Sequence, residues 1–245
     1  MAEGSLSDQA LYCVMNHSDL FHEYRCEETD GFPSELYLRL HISHLSEAFK
    51  TGQNAMEIKM ILKNKQFGDG GKESPCLRLE CAFASAASKQ KTTIHDIKVE
   101  LIGQKEWHLF QEPSMPQLDA SVVLPDLKKI KVAVERLKNM STQLKIAANS
   151  QGDMFLKIET DEISVKMSFK DVESIKCKEF LSDSTNDPGD MKEVTVDIKK
   201  FLQILQSSFE PTRAICNIVA DRALQVFLCL DDQVALQYLV PAILP

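Results

Sequence analysis

The stretch "VTVDIKKFLQILQS", Val194 to Ser207, decides how this sequence folds, because its apolar pattern changes period in the middle. Its first residues alternate apolar and polar, which predicts a half-buried strand, and the later apolar residues recur at helical spacing. A similar stretch, "LRLHISHLSEAFKT", begins at Leu38 with the same order of apolar positions. Each copy is followed by three more alternating segments. We therefore interpret the chain as containing a duplicated unit of strand, helix and three strands.

The segments around these two stretches also alternate, as strands buried on one face do. Short connections such as "NSQGD" and "DDQ" favour antiparallel neighbours. Helical periodicity is confined to His44–Gln53, Asp126–Met140 and Lys199–Ser207. Strands are predicted at Glu35–Ile42, Met56–Asn64, Cys76–Ala84, His95–Ile102, Ala120–Pro125, Gln143–Asn149, Met154–Thr160, Ile163–Phe169, Val194–Ile198, Ala214–Ala220, Leu224–Leu230 and Val234–Ala242.

Composition and charge limit the class of protein. At 245 residues with 44% hydrophobic content, the chain can bury a core as one large domain or as two smaller ones. No apolar run approaches the ~18 residues of a membrane span, and no secretory signal pattern is present, so we expect a reducing compartment. The 7 cysteines are odd in number and mostly lie in strand-like runs, which predicts buried thiols rather than disulfides. A net charge of -8 disfavours tight nonspecific binding to nucleic acid, so any DNA-binding surface must be local.

Two irregular segments interrupt the strand pattern. Residues 103–119, "GQKEWHLFQEPSMPQLD", contain two prolines and the only tryptophan, which indicates an interdomain connector. Residues 179–193, "EFLSDSTNDPGDMKE", are acidic and rich in turn residues, which indicates a surface loop. We therefore predict a first domain at residues 1–102, the connector at residues 103–119 and a second domain at residues 120–245.

The predicted helices share an arrangement of charge. At ~100° per residue, the apolar residues of Asp126–Met140 form one stripe and its cations fall on the opposite side. The other two helices also turn a polar, partly basic face away from the apolar stripe. Such lysines are often only solvated, so the pattern alone leaves open a solvated surface or one that binds an anion. The stripe is Leu127, Ile130, Val134 and Leu137, and the cations are Lys128, Lys129 and Arg136, with Lys199 and Lys200 on the third helix and Lys50 on the first.

A possible metal site lies near the N-terminus. Cys13, His17, His22 and Cys26 are residue types that bind zinc, but their spacing lacks the C-x2-C or H-x3-H pair of a usual framework. The same segment fits a strand followed by a helix or loop, with Cys13 and Phe21 packed internally. A small zinc-dependent hydrolase is therefore a minor alternative. The main prediction contains no catalytic residue, no metal and no cofactor.

Six separated segments resemble one known family in their residue identities, order and spacing. They are "ELYLRLHISHLSEAFKTGQNAMEIKMILKNK", "HDIKV", "VVLPDLKKIKVAVERLKNMS", "LKIET", "AICNIV" and "VALQYLVPAI". The chain is similar to the hydroxyurea-sensitivity subunit family of the nine-one-one checkpoint clamp, from about Leu11 to the C-terminus. The resemblance implies an α+β fold of the DNA sliding-clamp type, with two similar domains of antiparallel sheets and inner helices. A complete family member begins with a further strand, helix and strand, so the resemblance also implies a first domain that is shortened at its N-terminus.

The function that the resemblance implies is that of a noncatalytic subunit of a heterotrimeric DNA-damage checkpoint clamp. Such a clamp encircles DNA in the nucleus and is a platform for checkpoint signalling and DNA repair. The implied partners are two other clamp subunits, a clamp loader, repair enzymes and double-stranded DNA near junctions, bound without regard to base sequence. No membrane partner is expected. A replicative homotrimeric clamp, like proliferating cell nuclear antigen, is the alternative.

The resemblance also assigns roles to residues. Clamp helices line the central hole, so the cations on the three predicted helices are expected to face DNA. Neighbouring subunits join through strand edges, which correspond here to Thr92–Ile102, with Ile97 and Val99, and to Glu162–Asp171, with Val165 and Met167. Partner peptides bind beside the connector, where Trp107, Phe110, Pro113 and Pro116 either contribute to the site or only hold the connector on its domain.

Overall fold

The computed structural model describes residues 10–25, 35–68, 71–84, 91–112, 117–175, 189–206, 210–230 and 234–243. These residues form two compact units, which are treated separately below. The large unit combines residues 10–24 with residues 112–243, and the small unit comprises residues 25–111. No described helix is long and apolar enough to cross a membrane.

The helices and strands follow one another in a regular order. In chain order they are β1 (Ala10–Val14), α1 (His17–Leu20), β2 (Leu38–Arg39), α2 (Ile42–Gly52), β3 (Glu57–Gln66), β4 (Glu73–Phe83), β5 (Lys91–Lys98), β6 (Glu100–Leu101), a 3-10 helix (Gln104–Leu109), β7 (Ala120–Val123), α3 (Leu127–Leu137), β8 (Gln143–Ala148), β9 (Met154–Glu159), β10 (Ser164–Phe169), β11 (Lys192–Asp197), α4 (Ile198–Leu205), β12 (Arg213–Val219), β13 (Ala223–Cys229) and β14 (Ala235–Pro241).

The large unit contains two antiparallel sheets around one core. The sheet orders are β1-β14-β13-β12-β7 and β10-β9-β8-β11. α3 and α4 contact each other, and their apolar stripes share the core with residues from both sheets. Ile130 and Val134 of α3 and Phe201 of α4 are fully buried there. Each such side chain stabilises the fold by roughly 1.5–3 kcal/mol relative to its exposed state, so the cation-bearing faces of both helices must point away from the sheets.

The small unit is built on the sheet β3-β4-β5, with β2 paired to β6. α2 packs on β4 and β5 through a cluster that includes Ala48, Leu79 and Ile97. Gly52 lies so close to the sheet that a Cβ there would be 2.9 Å from Sγ of Cys81. A larger residue at this position would push α2 away from β4.

The predicted unit of strand, helix and three strands recurs more often than the sequence comparison indicated. It appears as β2-α2-β3-β4-β5, as β7-α3-β8-β9-β10 and as β11-α4-β12-β13-β14. The middle copy escaped detection because Pro125 separates its strand from its helix. In the large unit the first strand of each copy belongs to the sheet of the other copy, since β7 pairs with β12 and β11 pairs with β8.

Most predicted strands and all three predicted helices are confirmed, with shifted ends. The segment Glu35–Ile42 differs, because only Leu38–Arg39 is paired and α2 already begins at Ile42. The N-terminal segment forms a strand and a short helix, but β1 pairs with β14, which places residues 10–24 in the large unit rather than with residues 35–102. Cys13 is exposed instead of packed, because β1 is an edge strand.

The remaining predictions about thiols and loops have different outcomes. Cys76, Cys81 and Cys216 are buried free thiols, as expected from their strand positions. The two strands that flank residues 67–72 form an antiparallel hairpin. The acidic segment 179–193 lies mostly outside the described residues, so its prediction as a surface loop is not addressed by the structure.

Candidate nucleic-acid interface

α3 presents cations because its cap and its apolar stripe fix its orientation. The Asp126 carboxylate accepts a hydrogen bond from the backbone N–H of Lys128 at 2.9 Å, which caps the first turn. The apolar stripe is buried against the sheets. Lys128, Lys129 and Arg136 are consequently exposed on the opposite side of the helix.

α4 is positioned in the same way. The Asp197 carboxylate accepts hydrogen bonds from the backbone N–H groups of Lys199 at 2.7 Å and of Lys200 at 3.2 Å. Burial of Phe201 and Ile204 then leaves Lys199 exposed and Lys200 half-buried. Because α3 and α4 contact each other, one unit presents cations from two neighbouring helices.

Carboxylates neutralise part of the α3 surface. Nζ of Lys128 lies 2.6 Å from Oε1 of Glu210, and Nζ of Lys129 lies 3.8 Å from Oδ2 of Asp126. Glu210 raises the pKa of Lys128, and Lys128 lowers the pKa of Glu210, chiefly through their hydrogen bond. Both partners of that pair are 80% exposed. Exposed ion pairs contribute little to stability, so phosphate oxygens can take the place of these carboxylates at small cost.

The structure groups only some of the predicted DNA-facing residues. The cations of α3 and α4 share the large unit, whereas Lys50 is exposed on α2 of the small unit. Glu210 was missed by sequence reasoning because it follows α4 and reaches Lys128 only through the fold. Asp126 and Asp197 could have been predicted as helix caps from the sequence, because an aspartate directly precedes each helix.

The structure places β5, which overlaps the predicted edge Thr92–Ile102, and β10, within Glu162–Asp171, at the ends of their sheets, whereas Glu100–Leu101 of the first segment form β6 and pair with β2. β5 lies at the end of the sheet β3-β4-β5, and β10 lies at the end of β10-β9-β8-β11. The named side chains, however, pack inside their own units: Ile97 and Val99 are buried, and Val165 and Met167 pack on the core of the large unit. Contact with another subunit at these strands would therefore use the backbone edge rather than those side chains.

Connector residues Trp107 and Phe110 have different environments. Nε1 of Trp107 donates a hydrogen bond to the Ile102 carbonyl at 2.8 Å, and its ring stacks on Tyr37 with centroids 4.7 Å apart. Trp107 thus holds the connector on the small unit, which was one of the two interpretations. Phe110 is 40% exposed, with the Arg39 guanidinium 5.4 Å from its ring centroid. Pro113 and Pro116 lie outside the described residues.

The residues considered for zinc do not form a cluster where the structure describes them. Cys13 is exposed on β1, and the ring of His17 lies 4.9 Å from that of Tyr24. Cys26 lies outside the described residues. Within the described part of the chain, no group of three or more His, Cys, Asp or Glu side chains could hold a metal ion.

Comparisons of the sequence with known proteins identify one family. A family model described as Hus1-like protein matches residues 2–244. The chain is 37% identical over 247 residues to the human checkpoint protein HUS1, a match that covers 99% of the chain and 83% of that relative. It is 21% identical over 231 residues to checkpoint protein hus1 of Schizosaccharomyces pombe, covering 91% of the chain and 77% of the relative.

The fold has a counterpart among solved structures. Proliferating cellular nuclear antigen from Entamoeba histolytica superimposes with a TM-score of 0.61 and 12% sequence identity, over 97% of this chain and 81% of that one. An identity this low supports the fold alone. The predicted sliding-clamp architecture of antiparallel sheets with few helices is thereby confirmed.

Proposed function

This chain belongs to the Hus1-like family, and we propose that it serves as one subunit of a heterotrimeric ring that encircles duplex DNA. The family and the sliding-clamp fold make it a checkpoint clamp subunit, a kind of protein that is not an enzyme. A replicative homotrimer is not favoured, because the relatives are checkpoint proteins. In our proposal the ring contains two other clamp subunits, is placed on DNA near junctions by a clamp loader in the nucleus, and is a platform for repair enzymes.

The observation that supports DNA contact is the pair of neighbouring helices α3 and α4. Both bury an apolar stripe and expose cations on the other side, in a chain whose net charge is -8. A local basic surface attracts phosphates, while the acidic remainder of the protein prevents tight nonspecific binding to nucleic acid. Neighbouring carboxylates such as Glu210 keep the contact weak. A ring that is held by its topology needs only weak contacts and can slide.

We also propose that the connector contributes to recruitment of partner proteins. Trp107 anchors the connector, which leaves Leu109 and Phe110 exposed as apolar contacts for a peptide. Lys50 of α2 is proposed as a further DNA contact from the small unit, because it is likewise exposed on a helix whose apolar residues pack on a sheet.

The test compares DNA binding of the assembled clamp with and without the α3 cations. The chain is coexpressed with the two other clamp subunits, and Lys128, Lys129 and Arg136 are replaced together by Ala. If all three contact phosphates, the slope of log affinity against log salt decreases by up to about 2.7. The matched control replaces Lys72, Lys105 and Arg222, exposed cations that lie outside the α-helices and outside the strand edges proposed as subunit contacts, and should leave the slope unchanged. An unchanged slope in the α3 variant would mean that its cations are only solvated.

A further inference from the structure

The face of the small unit's sheet that points away from α2 carries more cations than carboxylates. α2 packs on the side of Leu79 and Ile97, and side chains alternate between the two faces along each strand. We call the opposite side the outer face. Its cations are Lys59, Lys63, Lys65, Arg78 and Lys98, and its carboxylates are Glu57, Glu80 and Asp96. The outer face is therefore a local basic surface on a chain whose net charge is -8.

The carboxylates of the outer face are all paired with some of these cations. The pairs are Lys65 and Arg78 with Asp96, Arg78 with Glu80, and Lys59 with Glu57. Glu100, just beyond β5, is 2.9 Å from the Arg39 guanidinium. Lys63 and Lys98 have no carboxylate partner among the described residues. Their two charges are therefore available to an anion from outside the chain.

Lys63 and Lys98 lie in one row across the sheet, on either side of Cys76. Lys63 is paired with Cys76 on β4, and Cys76 is paired in turn with Lys98 on β5. Adjacent strands are about 4.8 Å apart, so the two lysines are separated by roughly 10 Å at their Cα atoms. The short thiol of Cys76 is turned to Asp96, with Sγ 3.7 Å from Oδ1, so no long side chain stands between the lysines. Because lysine has a flexible four-carbon stem, both ammonium groups can converge on one anion above Cys76.

Two exposed apolar side chains extend this row along the strands. Ile61, which is 39% exposed, is two residues from Lys63 on β3, and Ile94, which is 50% exposed, is four residues from Lys98 on β5. Residues separated by two or four positions in a strand share a face, so both isoleucines lie on the outer face. An extended peptide that begins at the lysine pair and follows the strands would contact both through alternate side chains.

We propose that the outer face of the small unit binds a phosphorylated segment of a partner protein, with its phosphoryl group between Lys63 and Lys98. The apolar side chains of the same segment contact Ile61 and Ile94. A phosphoserine or phosphothreonine carries a charge of about -1.5 to -2 at neutral pH on one compact group. Two converging ammonium groups balance that charge, and hydrogen bonds from ammonium to phosphate are strong because both groups are ionised. A single carboxylate would balance only one of the two lysines.

A partner protein is favoured over DNA as the source of the phosphate. Lys50, the proposed DNA contact of this unit, is carried by α2 on the other side of the sheet, so the outer face points away from the encircled DNA. This choice of source rests on the proposed function. Strand pairing at the β5 edge would use backbone groups, which leaves the side chains of the outer face exposed in an assembled clamp.

The experiment uses the full chain and a defined probe. The probe is a short synthetic peptide with a central phosphoserine and valine at alternate positions, labelled for fluorescence anisotropy. We expect saturable binding that is at least tenfold tighter than binding of the same peptide without phosphate or with glutamate at the central position. Replacing Lys63 and Lys98 together by Gln removes both charges but keeps most of each stem. This double variant should bind the phosphopeptide at least tenfold more weakly.

The matched control is the double variant Lys91→Gln with Lys105→Gln, which loses the same charge from exposed positions of the small unit. Lys91 is paired with Phe83 at the other end of β5 and lies on the α2 side, and Lys105 lies in the 3-10 helix. It should bind the probe as the parent chain does, and fluorescence of Trp107 verifies that both double variants are folded. The variant of Lys63 and Lys98 should also be captured normally by the other clamp subunits. Failure of peptide binding with normal capture would thus count against this proposal and not against the proposed function.

Four results would overturn the proposal. The first is the absence of saturable binding by the folded chain. The second is phosphopeptide binding that the variant of Lys63 and Lys98 does not weaken, since the site would then lie elsewhere. The third is equal binding of the glutamate peptide, because the surface would then select acidic segments in general. The fourth is a short DNA duplex whose binding to the chain falls at least tenfold in the same variant, because DNA would then be the source of the phosphate.

Discussion

At the scale of single residues, Asp96 organises the outer face of the sheet in the small unit. Its carboxylate accepts hydrogen bonds from Nε and Nη2 of Arg78 at 2.7 and 2.9 Å, and it also pairs with Lys65. The side chain is only 8% exposed. These hydrogen bonds, with that from Arg78 the largest contribution, hold the pKa of Asp96 well below its usual range. A carboxylate in this setting stabilises the fold only while it is ionised.

Asp96→Asn should therefore destabilise the small unit at neutral pH. We expect a loss of about 2 kcal/mol, because the half-buried Arg78 and Lys65 lose the buried counter-charge of Asp96. Since the folded chain binds the Asp96 proton more weakly than the unfolded chain, the stabilisation is fully present above about pH 4 and is lost as the pH falls through the depressed pKa. The difference between variant and parent should accordingly shrink in acid. Trp107, the only tryptophan, lies in this unit and reports its unfolding by fluorescence.

The exposed pair of Arg39 and Glu100 provides the control for Asp96. Its atoms are 2.9 Å apart, but both side chains are more than half exposed. Glu100→Gln should change the unfolding free energy by less than about 0.5 kcal/mol. Equal effects of Glu100→Gln and Asp96→Asn would contradict the importance given to burial.

Thiol reactivity should separate the cysteines by burial. Complete burial raises the pKa of Cys216 to about 12, and partial burial raises the pKa of the exposed Cys13 as well. Because the thiolate is the reactive species, iodoacetamide at pH 8 should label Cys13 in the native chain and leave Cys216 unlabelled until denaturant is added. Mass spectrometry of the peptides reads this directly. Labelling of Cys216 at the rate of Cys13 would show that the core of the large unit opens readily.

At the scale of elements, the helices were predictable and their electrostatic partners were not. In α3 and α4 the apolar residues recur at helical spacing because one stripe of each helix is buried. This spacing lies within a single segment, so it can be recognised from the sequence alone. The contact between Lys128 and Glu210 depends on how α3 packs beside α4, which no local pattern contains. β2 was overpredicted for a related reason: Glu35–Ile42 alternates well, but pairing partners, not alternation, decide how many of its residues form a strand.

Asp126 combines two roles in α3, and two substitutions should separate them. Asp126→Ala removes the cap on the N–H of Lys128 and should cost about 1 kcal/mol of stability. Asp126→Asn keeps a capping oxygen and should cost little. Both remove the negative charge near Lys129, so both should strengthen DNA binding of the assembled clamp to a similar extent at low salt. Urea unfolding and DNA titration are the two measurements. Weaker DNA binding with Asn would contradict the placement of α3 against phosphates.

At the scale of the whole molecule, the repeated unit explains which parts of the fold could be predicted. Alternation and helix periodicity indicated the strand and helix order, and the resemblance supplied the clamp architecture. The pairing of β1 with β14 joins segments from opposite ends of the chain, so neither local pattern nor spacing pointed to it. The edge positions of β5 and β10 agree with the proposed subunit contacts, and the backbone geometry now shows which residues can test them.

The direction of each N–H along these edges follows from the ladder. Thr160 N donates to the Ile163 carbonyl, so by alternation the N–H of Val165 faces β9 and that of Lys166 faces the open edge of β10. Val99 N donates to the Pro75 carbonyl, so the N–H of Ile94 faces the open edge of β5 in the same way. Proline at Lys166 or Ile94 therefore removes an outward donor without breaking the internal ladder.

We predict that Lys166→Pro and Ile94→Pro each weaken capture of a different clamp subunit by roughly tenfold or more, since each blocks one strand edge and the two edges meet different neighbours. Lys166→Thr and Ile94→Thr remove the same side chains, including the contact of Lys166 with the Phe155 ring, but keep the N–H and should capture both subunits normally. Circular dichroism establishes that all four variants are folded, and coexpression with each subunit in turn measures capture. Loss of the same subunit by both proline variants would contradict two distinct interfaces, and normal capture by both would remove the strand edges from the assembly. Because Ile97 and Val99 are buried in the small unit, proline there would damage the core and could not distinguish an interface from a folding defect.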